Sequence, residues 1–280
     1  MKTIHTSQVT DLVERLCMDA NYKLAPDIEN AMKRYKTQEK SPLGREILGT
    51  ILENARIART EEVPMCQDTG MTVVYLTIGQ EVHIEGGSLK DAVNEGVRRG
   101  YRNGYLRKSV VKDPFDRTNT GDNTPAVIHY NIVEGEELHI LVAPKGFGSE
   151  NKSRLIMLTP SQGVQGVKDF VIKVVRDAGP NPCPPIVVGV GVGGTMERCA
   201  YLSKLALMRS VGSHSDNEFV ASLEKELLEE INRLGIGPAG FGGSTTALAV
   251  NILTEATHIA GLPVAVNIGC HATRHAEGSL

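Results

Sequence analysis

Three short stretches of this sequence carry residue types suited to holding a metal. Cys66 stands in PMCQDTG, Cys183 in NPCPP and Cys270 in IGCHATRH, so each thiol sits in a loop bounded by proline or glycine, beside polar groups. A thiolate is a soft ligand, and loops at element ends are where ligands converge on one point. The wide separation of the three along the chain excludes a local zinc knuckle and suits a site assembled by the whole fold. Two chemistries are open to three thiolates. Zinc would complete the set with water or a histidine, for which His271 or His275 would serve. An iron–sulfur cluster would leave one iron without a protein ligand, a Lewis acid with room for a substrate hydroxyl. Spacing does not decide between them. The other two cysteines, Cys17 and Cys199, fall inside helical patterns and read as core.

The elements that must position these loops follow from periodicity and punctuation. The first sixty residues read as helical, with Ser41 as an N-cap and Pro42 at the first helical position ahead of Leu43, Ile47, Leu48, Ile51 and Ala55 at helical spacing. A loop, VPMCQDTG, leads into the β-rich run MTVVYLTIG, and Ser88 opens another helix with Asp91 in capping-box spacing. AVIHYNIV and ELHILVAPK read as two strands joined by the polar turn Glu134-Gly135. A helix around GVKDFVIKVVRDAG, a strand IVVGVGVGG, helices around Cys199 and from Asp216 to Leu234, and late strands TTALAVNIL and PVAVNIG complete the reading. Helices and strands interleave, so the fold class is α/β (mixed α+β), a helical N-terminal segment followed by strands and helices whose ends carry the cysteine loops. One domain over 1–280 is expected, with a soft boundary near 145–155 that would separate two subdomains.

Gly189, Gly191 and Gly194 match G-x-G-x-x-G, but the region some twenty residues on, LALMRSVGSHSDNEFV, is a helix and polar loop rather than a strand ending in an acid. Close packing against a glycine-rich strand is the better reading of GVGVGG. A net charge of −3 over 280 residues leaves no electrostatic footprint for nucleic acid or an anionic membrane. No apolar run reaches the length of a membrane span, and MKTIHTSQVTDLVERL lacks the apolar core of a signal peptide. The odd cysteine count fits a reducing compartment, so a cytoplasmic protein is expected.

In this order MCQDTG, DNTPAVIHY, KGFGSENKS, NPCPPIVVGVGVGG and GLPVAVNIGCHATRHA closely resemble the class I, iron–sulfur-dependent fumarate hydratases, in their N-terminal region or separate α subunit. The tartrate dehydratase α subunit is a close relative, and GCHATRH and KGFGSENK look more like the fumarase branch. The resemblance implies a [4Fe–4S] cluster on Cys66, Cys183 and Cys270, and a dicarboxylate at the open iron. It implies substrate contacts from Gln67, Asp68, Arg107, Gly146, Ser149, Asn151, Lys152 and His258, with Asp68 and His258 in the catalytic set. Arginine suits a bidentate clamp on a carboxylate, and glycine lets the backbone approach substrate closely. Arg274 and His275 are expected to orient the Cys270 loop. Single-chain members of the family continue past the third cysteine into a second domain, so its counterpart is expected on a β subunit, in a higher heteromer such as α2β2. The expected reaction is reversible hydration of fumarate to (S)-malate. The rivals are tartrate dehydration and, from another class, a non-catalytic iron–sulfur or zinc-binding scaffold.

Overall fold

In the computed structural model, which describes residues 2–280, strands and helices alternate along the chain. They run β1 (Lys2–His5), α1 (Thr6–Tyr22), α2 (Pro26–Gln38), α3 (Pro42–Glu61), β2 (Met71–Gly79), β3 (Val82–Glu85), α4 (Leu89–Asn103), β4 (Val127–Val133) and β5 (Leu138–Lys145). There follow α5 (Phe147–Glu150), β6 (Arg154–Leu158), α6 (Gly163–Ala178), β7 (Ile186–Gly194), α7 (Met196–Ala206), α8 (Glu218–Arg233), β8 (Ala247–Thr257), β9 (Leu262–Gly269) and β10 (Ala276–Ser279). The expected mixed α/β class holds. Ser41 Oγ accepts from the Gly44 N–H at 3.1 Å ahead of the α3 helix, and Ser88 caps α4 by accepting from the Asp91 N–H. The chain divides into two units. One comprises the N-terminal residues to Ala25, Asn54–Phe147 and Arg274–Leu280; the other comprises Pro26–Glu53 and Gly148–Thr273.

The first unit is a four-stranded sheet of order β10-β5-β2-β4 beside a small parallel pair, β1 with β3. Val74 and Leu76 of β2 and Ile140 and Val142 of β5 bury their side chains against Val9, Val13 and Leu16 of α1 and Val93 and Val97 of α4. Cys17 belongs to that core and is fully buried, and burial pushes its thiol well above the ordinary range. AVIHYNIV and ELHILVAPK form the two expected strands, β4 and β5, joined by a short turn, but they do not pair with each other. β2 lies between β4 and β5, parallel to the first and antiparallel to the second, so both pair with an earlier strand rather than with each other.

The second unit is a sheet of order β6-β9-β7-β8. Alternation along β7 sorts its side chains: Val188 and Val190 join α6 and α8 in one core, while Gly189 and Gly191 face α7. A Cβ added at Gly189 would run into the backbone carbonyl of Ser203, and one at Gly191 into that of Cys199. The α7 backbone therefore rests directly on the strand, which is why the motif is glycine-rich. Gly191→Ala is expected to push α7 off the sheet and cost on the order of 3 kcal/mol. A denaturation midpoint equal to that of the parent chain would refute this.

Glu39, at the end of α2, is only 2% exposed, and its carboxylate accepts from the N–H groups of Ser41 and Ser244 and from Ser244 Oγ. Burial pushes the carboxyl up, but hydrogen bonds from Thr245, Ser244 and Ser41 outweigh it and hold it at about 2. A carboxylate depressed in the folded state contributes stability above its unfolded pKa and loses it as pH falls through the folded value. Acid unfolding of the parent chain should therefore steepen between about pH 4.5 and pH 2, by roughly 2–3 kcal/mol in all. Glu39→Gln should remove that limb, which urea midpoints measured across this range would read.

Candidate active site

In the first unit the Cys66 loop is tied at both ends. The Met65 N–H donates to the Asn21 carbonyl at 3.0 Å, and Asn54 Nδ2 donates to the Met65 carbonyl at 2.8 Å. Beyond Cys66 the loop enters β2 through Gly70, whose φ of +78° and close approach to the backbone of Lys145 leave no room for a side chain. Tyr101 is buried and its hydroxyl donates to the carbonyls of Thr69 and Gly70, to which Asn123 Nδ2 adds a third bond. Thr69 Oγ1 donates to the Arg107 carbonyl at 3.0 Å and so draws the exposed Arg107 to the loop.

The Asp68 carboxylate is fixed by two backbone donors, Gly70 N–H at 3.0 Å and Phe147 N–H at 2.9 Å. Gly146 stands over it: a Cβ there would lie 3.2 Å from Asp68 Oδ2 and 3.5 Å from Arg274 Nη2. Arg274 is 3% exposed. Its Nη1 donates to Asn21 Oδ1 at 3.2 Å, its buried Nε has no acceptor, and no carboxylate among the described residues pairs with it. Arg274 thus stands buried beside the Asp68 carboxylate and the open face of Gly146, with one hydrogen-bonding position unused. The first unit thus gathers Gln67, Asp68, Arg107 and Gly146, with Arg274 added. Arg274, expected to orient the Cys270 loop, is placed by its contacts with Asn21 and the Gly146 turn. The signal in sequence was slight, an arginine amid ATRHA.

In the second unit Cys183 and Cys270 share one end of the sheet. Val187 near the start of β7 pairs with Gly269 at the end of β9, so the loops before and after them meet. The His271 N–H donates to the Cys183 carbonyl at 3.2 Å, and the ring Nδ1 of His271 lies 3.1 Å from the same oxygen. Cys183 is exposed and adopts φ +56°, a conformation uncommon for a residue with a Cβ, while Cys270 is half-buried. The Ser149–Lys152 segment is held at this end as well. Ser153 Oγ accepts from the Ile268 N–H, and Glu150 accepts from Asn267 Nδ2 and Lys204 Nζ. Ser149 is buried there, Lys152 half-buried and Asn151 exposed.

His258 is elsewhere. It is exposed after β8, where Thr257 pairs with Gly194, and β9 runs the length of the sheet before Cys270 is reached. Eight extended residues separate the two ends by on the order of 25 Å. Within the second unit, then, His258 does not join the cysteines. Among the described residues no three His, Cys, Asp or Glu side chains are grouped to hold a single metal ion. Cys199 is buried, burial pushes its thiol up, and its Sγ donates to the Met196 carbonyl, so like Cys17 it is a core residue.

A family model described as fumarate hydratase (Fumerase) matches residues 10–279. The chain belongs to the fumarate hydratase (Fumerase) family. A Methanocaldococcus jannaschii protein provisionally named L(+)-tartrate dehydratase subunit alpha is 42% identical over 275 residues, covering 96% of each chain. The L(+)-tartrate dehydratase subunit alpha of Escherichia coli K12 is 33% identical over 278 residues, covering 98% of this chain and 90% of its own. Hydratase and dehydratase alike name the addition or removal of water, so this is a hydro-lyase family. Every motif that carried the sequence resemblance lies inside the matched range. No helix among the described residues is long and apolar enough to cross a membrane.

Proposed function

We propose that this chain is the α-type subunit of a hydro-lyase that interconverts fumarate and (S)-malate with a β-type partner. The observation that carries the proposal is the buried Arg274 beside Asp68 and Gly146, in a chain of the fumarate hydratase family. Substrate and product are both four-carbon dicarboxylates, and a site for them needs cations on a desolvated face.

Cys66, Cys183 and Cys270 fit an iron–sulfur group by donor chemistry. They are the three cysteines not buried in helices, they offer sulfur alone, and the Cys183 and Cys270 loops are stitched together by His271. Ligands of a cluster bind separate irons, so they need not crowd as those of one ion must. When bound, a [4Fe–4S] cluster with one iron lacking a protein ligand supplies a Lewis acid for the substrate hydroxyl. The chain's own residues do the rest. Arg107 and Arg274 clamp carboxylate oxygens, and Gly146 leaves the space for them. Gln67, Ser149, Asn151 and Lys152 orient the substrate by donating to its oxygens. Asp68, its orientation fixed by two N–H donors, relays a proton at the substrate, and the principal base belongs to the partner. His258, at the far end of its sheet from the cysteines, serves the site of a second copy in an α2β2 assembly.

Arg274→Gln and Arg274→Lys test the clamp. The loss of a charged hydrogen-bonding group should raise KM roughly 10–100-fold while leaving iron and sulfide content unchanged. An unchanged KM would remove Arg274 from the site.

The names of the relatives favour a second reading, tartrate dehydration, with the same residues in the same roles. The deciding experiment is anaerobic turnover of (S)-malate and L(+)-tartrate by the chain with its β partner. A higher kcat/KM for malate supports the first reading and a higher one for tartrate the second. Turnover of neither overturns both.

A further inference from the structure

β8 is the outer strand of the second unit's sheet, and among the described residues it pairs with β7 alone. A bare edge is a liability, and side chains cover most of this one. Asn232 accepts from the Ala247 N–H at 2.9 Å and donates to the Ala247 carbonyl at 3.2 Å, and the Tyr35 hydroxyl donates to the Leu248 carbonyl at 3.5 Å. Further along, Glu224 Oε1 accepts from the Ile252 N–H at 2.8 Å and Arg209 Nη1 donates to the Ile252 carbonyl at 3.4 Å. Between these caps stands Val250. Alternation back from Ile252 turns the N–H and C=O of Val250 to the same edge, and neither has a partner among the described residues, although Val250 is only 4% exposed.

A cavity of about 160 Å³ lies against this edge, lined by Val250 with Arg34, Tyr35, His214, Glu224 and Lys225, all in the second unit. Its charge is positive. Glu224 is the one acid in the lining, and its carboxylate is already satisfied: Arg209 Nη2 donates to Oε1 at 2.7 Å, and the Ser215 N–H donates to Oε2 at 3.2 Å. Arg34 lies with its guanidinium 5.5 Å from the centre of the Tyr35 ring, and neither Arg34 nor Lys225 makes an ion pair among the described residues. The volume falls below the roughly 300 Å³ at which sites for drug-sized ligands begin, so the occupant is a molecule of a few carbons.

We propose that this cavity binds a small dicarboxylate that bears a hydroxyl or amino group on the carbon next to one carboxylate. Such a molecule carries an acceptor and a donor on the two sides of a single carbon, as a residue of a neighbouring strand does. Its carboxylate takes the Val250 N–H, and its hydroxyl or amine donates to the Val250 carbonyl. The second carboxylate meets Arg34 and Lys225. The inference uses no residue of the candidate active site, and it would stand if the chain proved to have no hydro-lyase activity.

The test is hydrogen exchange of the full chain, resolved amide by amide, with (S)-malate, L-aspartate or succinate added at millimolar concentration. Malate, aspartate or both should slow exchange of the Val250 amide by roughly tenfold or more, and which of them does so tells a hydroxy acid from an amino acid. Succinate has the same two carboxylates but no donor on the adjacent carbon, so it should bind roughly tenfold more weakly. Arg34→Gln together with Lys225→Gln, both on exposed side chains, should abolish the protection with the far-ultraviolet circular dichroism unchanged. Arg274→Gln should leave it in place, which separates this cavity from the candidate active site. Four results would overturn the proposal: no protection of Val250 by malate or aspartate, equal protection by succinate, protection that survives the double variant, or protection lost in Arg274→Gln.

Discussion

Serine at Cys66, Cys183 or Cys270 is expected to abolish the broad visible absorbance of a thiolate-bound cluster in the anaerobically reconstituted chain, and turnover with it. The reasoning is one of ligand economy. On the proposed ligand set of three thiolates and no fourth, each would hold an iron that nothing else replaces, and a serine hydroxyl is a poor ligand for iron in this state. Cys17→Ala and Cys199→Ala should keep the full iron and sulfide content. Their thiols are buried among apolar groups, and burial holds both in the protonated form that does not bind metal. Their cost should fall on stability instead. If Cys199→Ala empties the chain of iron while Cys183→Ser keeps it, the ligand set is wrong. Metal and sulfide analysis decides this without any assay of activity.

The second large effect concerns the partner. The chain alone, loaded with its cluster, should turn over malate or tartrate at least roughly 10²–10³-fold more slowly than the complex with a β subunit, the scale set by losing a group that stabilises transition-state charge. The physical grounds lie in the residues at hand. Arg107 is exposed, so a carboxylate held there would stay hydrated and its contacts would be weakened by water. A partner that covers the site would strengthen every charge contact already present. Adding the partner to the loaded chain and following fumarate absorbance measures the gain. Equal rates with and without it would show that this chain holds the whole catalytic set.

Local chemistry explains which elements were readable in the sequence. Ser41 with Pro42 and Ser88 with Asp91 announce helix starts because capping is settled within four residues. The valine–glycine alternation of β7 likewise announces a strand with one large and one empty face. Pairing is another matter. β4 and β5 are close in sequence and joined by a short turn, yet β2 lies between them, and no local signal reports a strand from fifty residues earlier. β10 escaped notice because AEGS has no β character of its own; it is a strand because β5 offers it a partner. At the site, Cys66, Cys183 and Cys270 were visible through the prolines and glycines around them. What the sequence concealed was position across a sheet. His258 and Cys270 are twelve residues apart, and β9 carries the chain from one end of the sheet to the other between them. Arg274 was hidden for the same reason, since its partners Asn21 and Gly146 come from distant stretches.

That last strand also bears on how the molecule is made. β10 is the outer strand beside β5, and Ala276–Ser279 are synthesised after everything else in the first unit's sheet. During translation β5 therefore waits with a bare flank, and Asn21 and the Gly146 turn wait for Arg274, until these later residues are made. An early stop codon or a ribosome stalled past Cys270 would yield a chain with every cysteine present and Arg274 missing. Such a product would be expected to take up iron and sulfide yet bind dicarboxylate poorly, a defect that metal analysis alone would pass as sound.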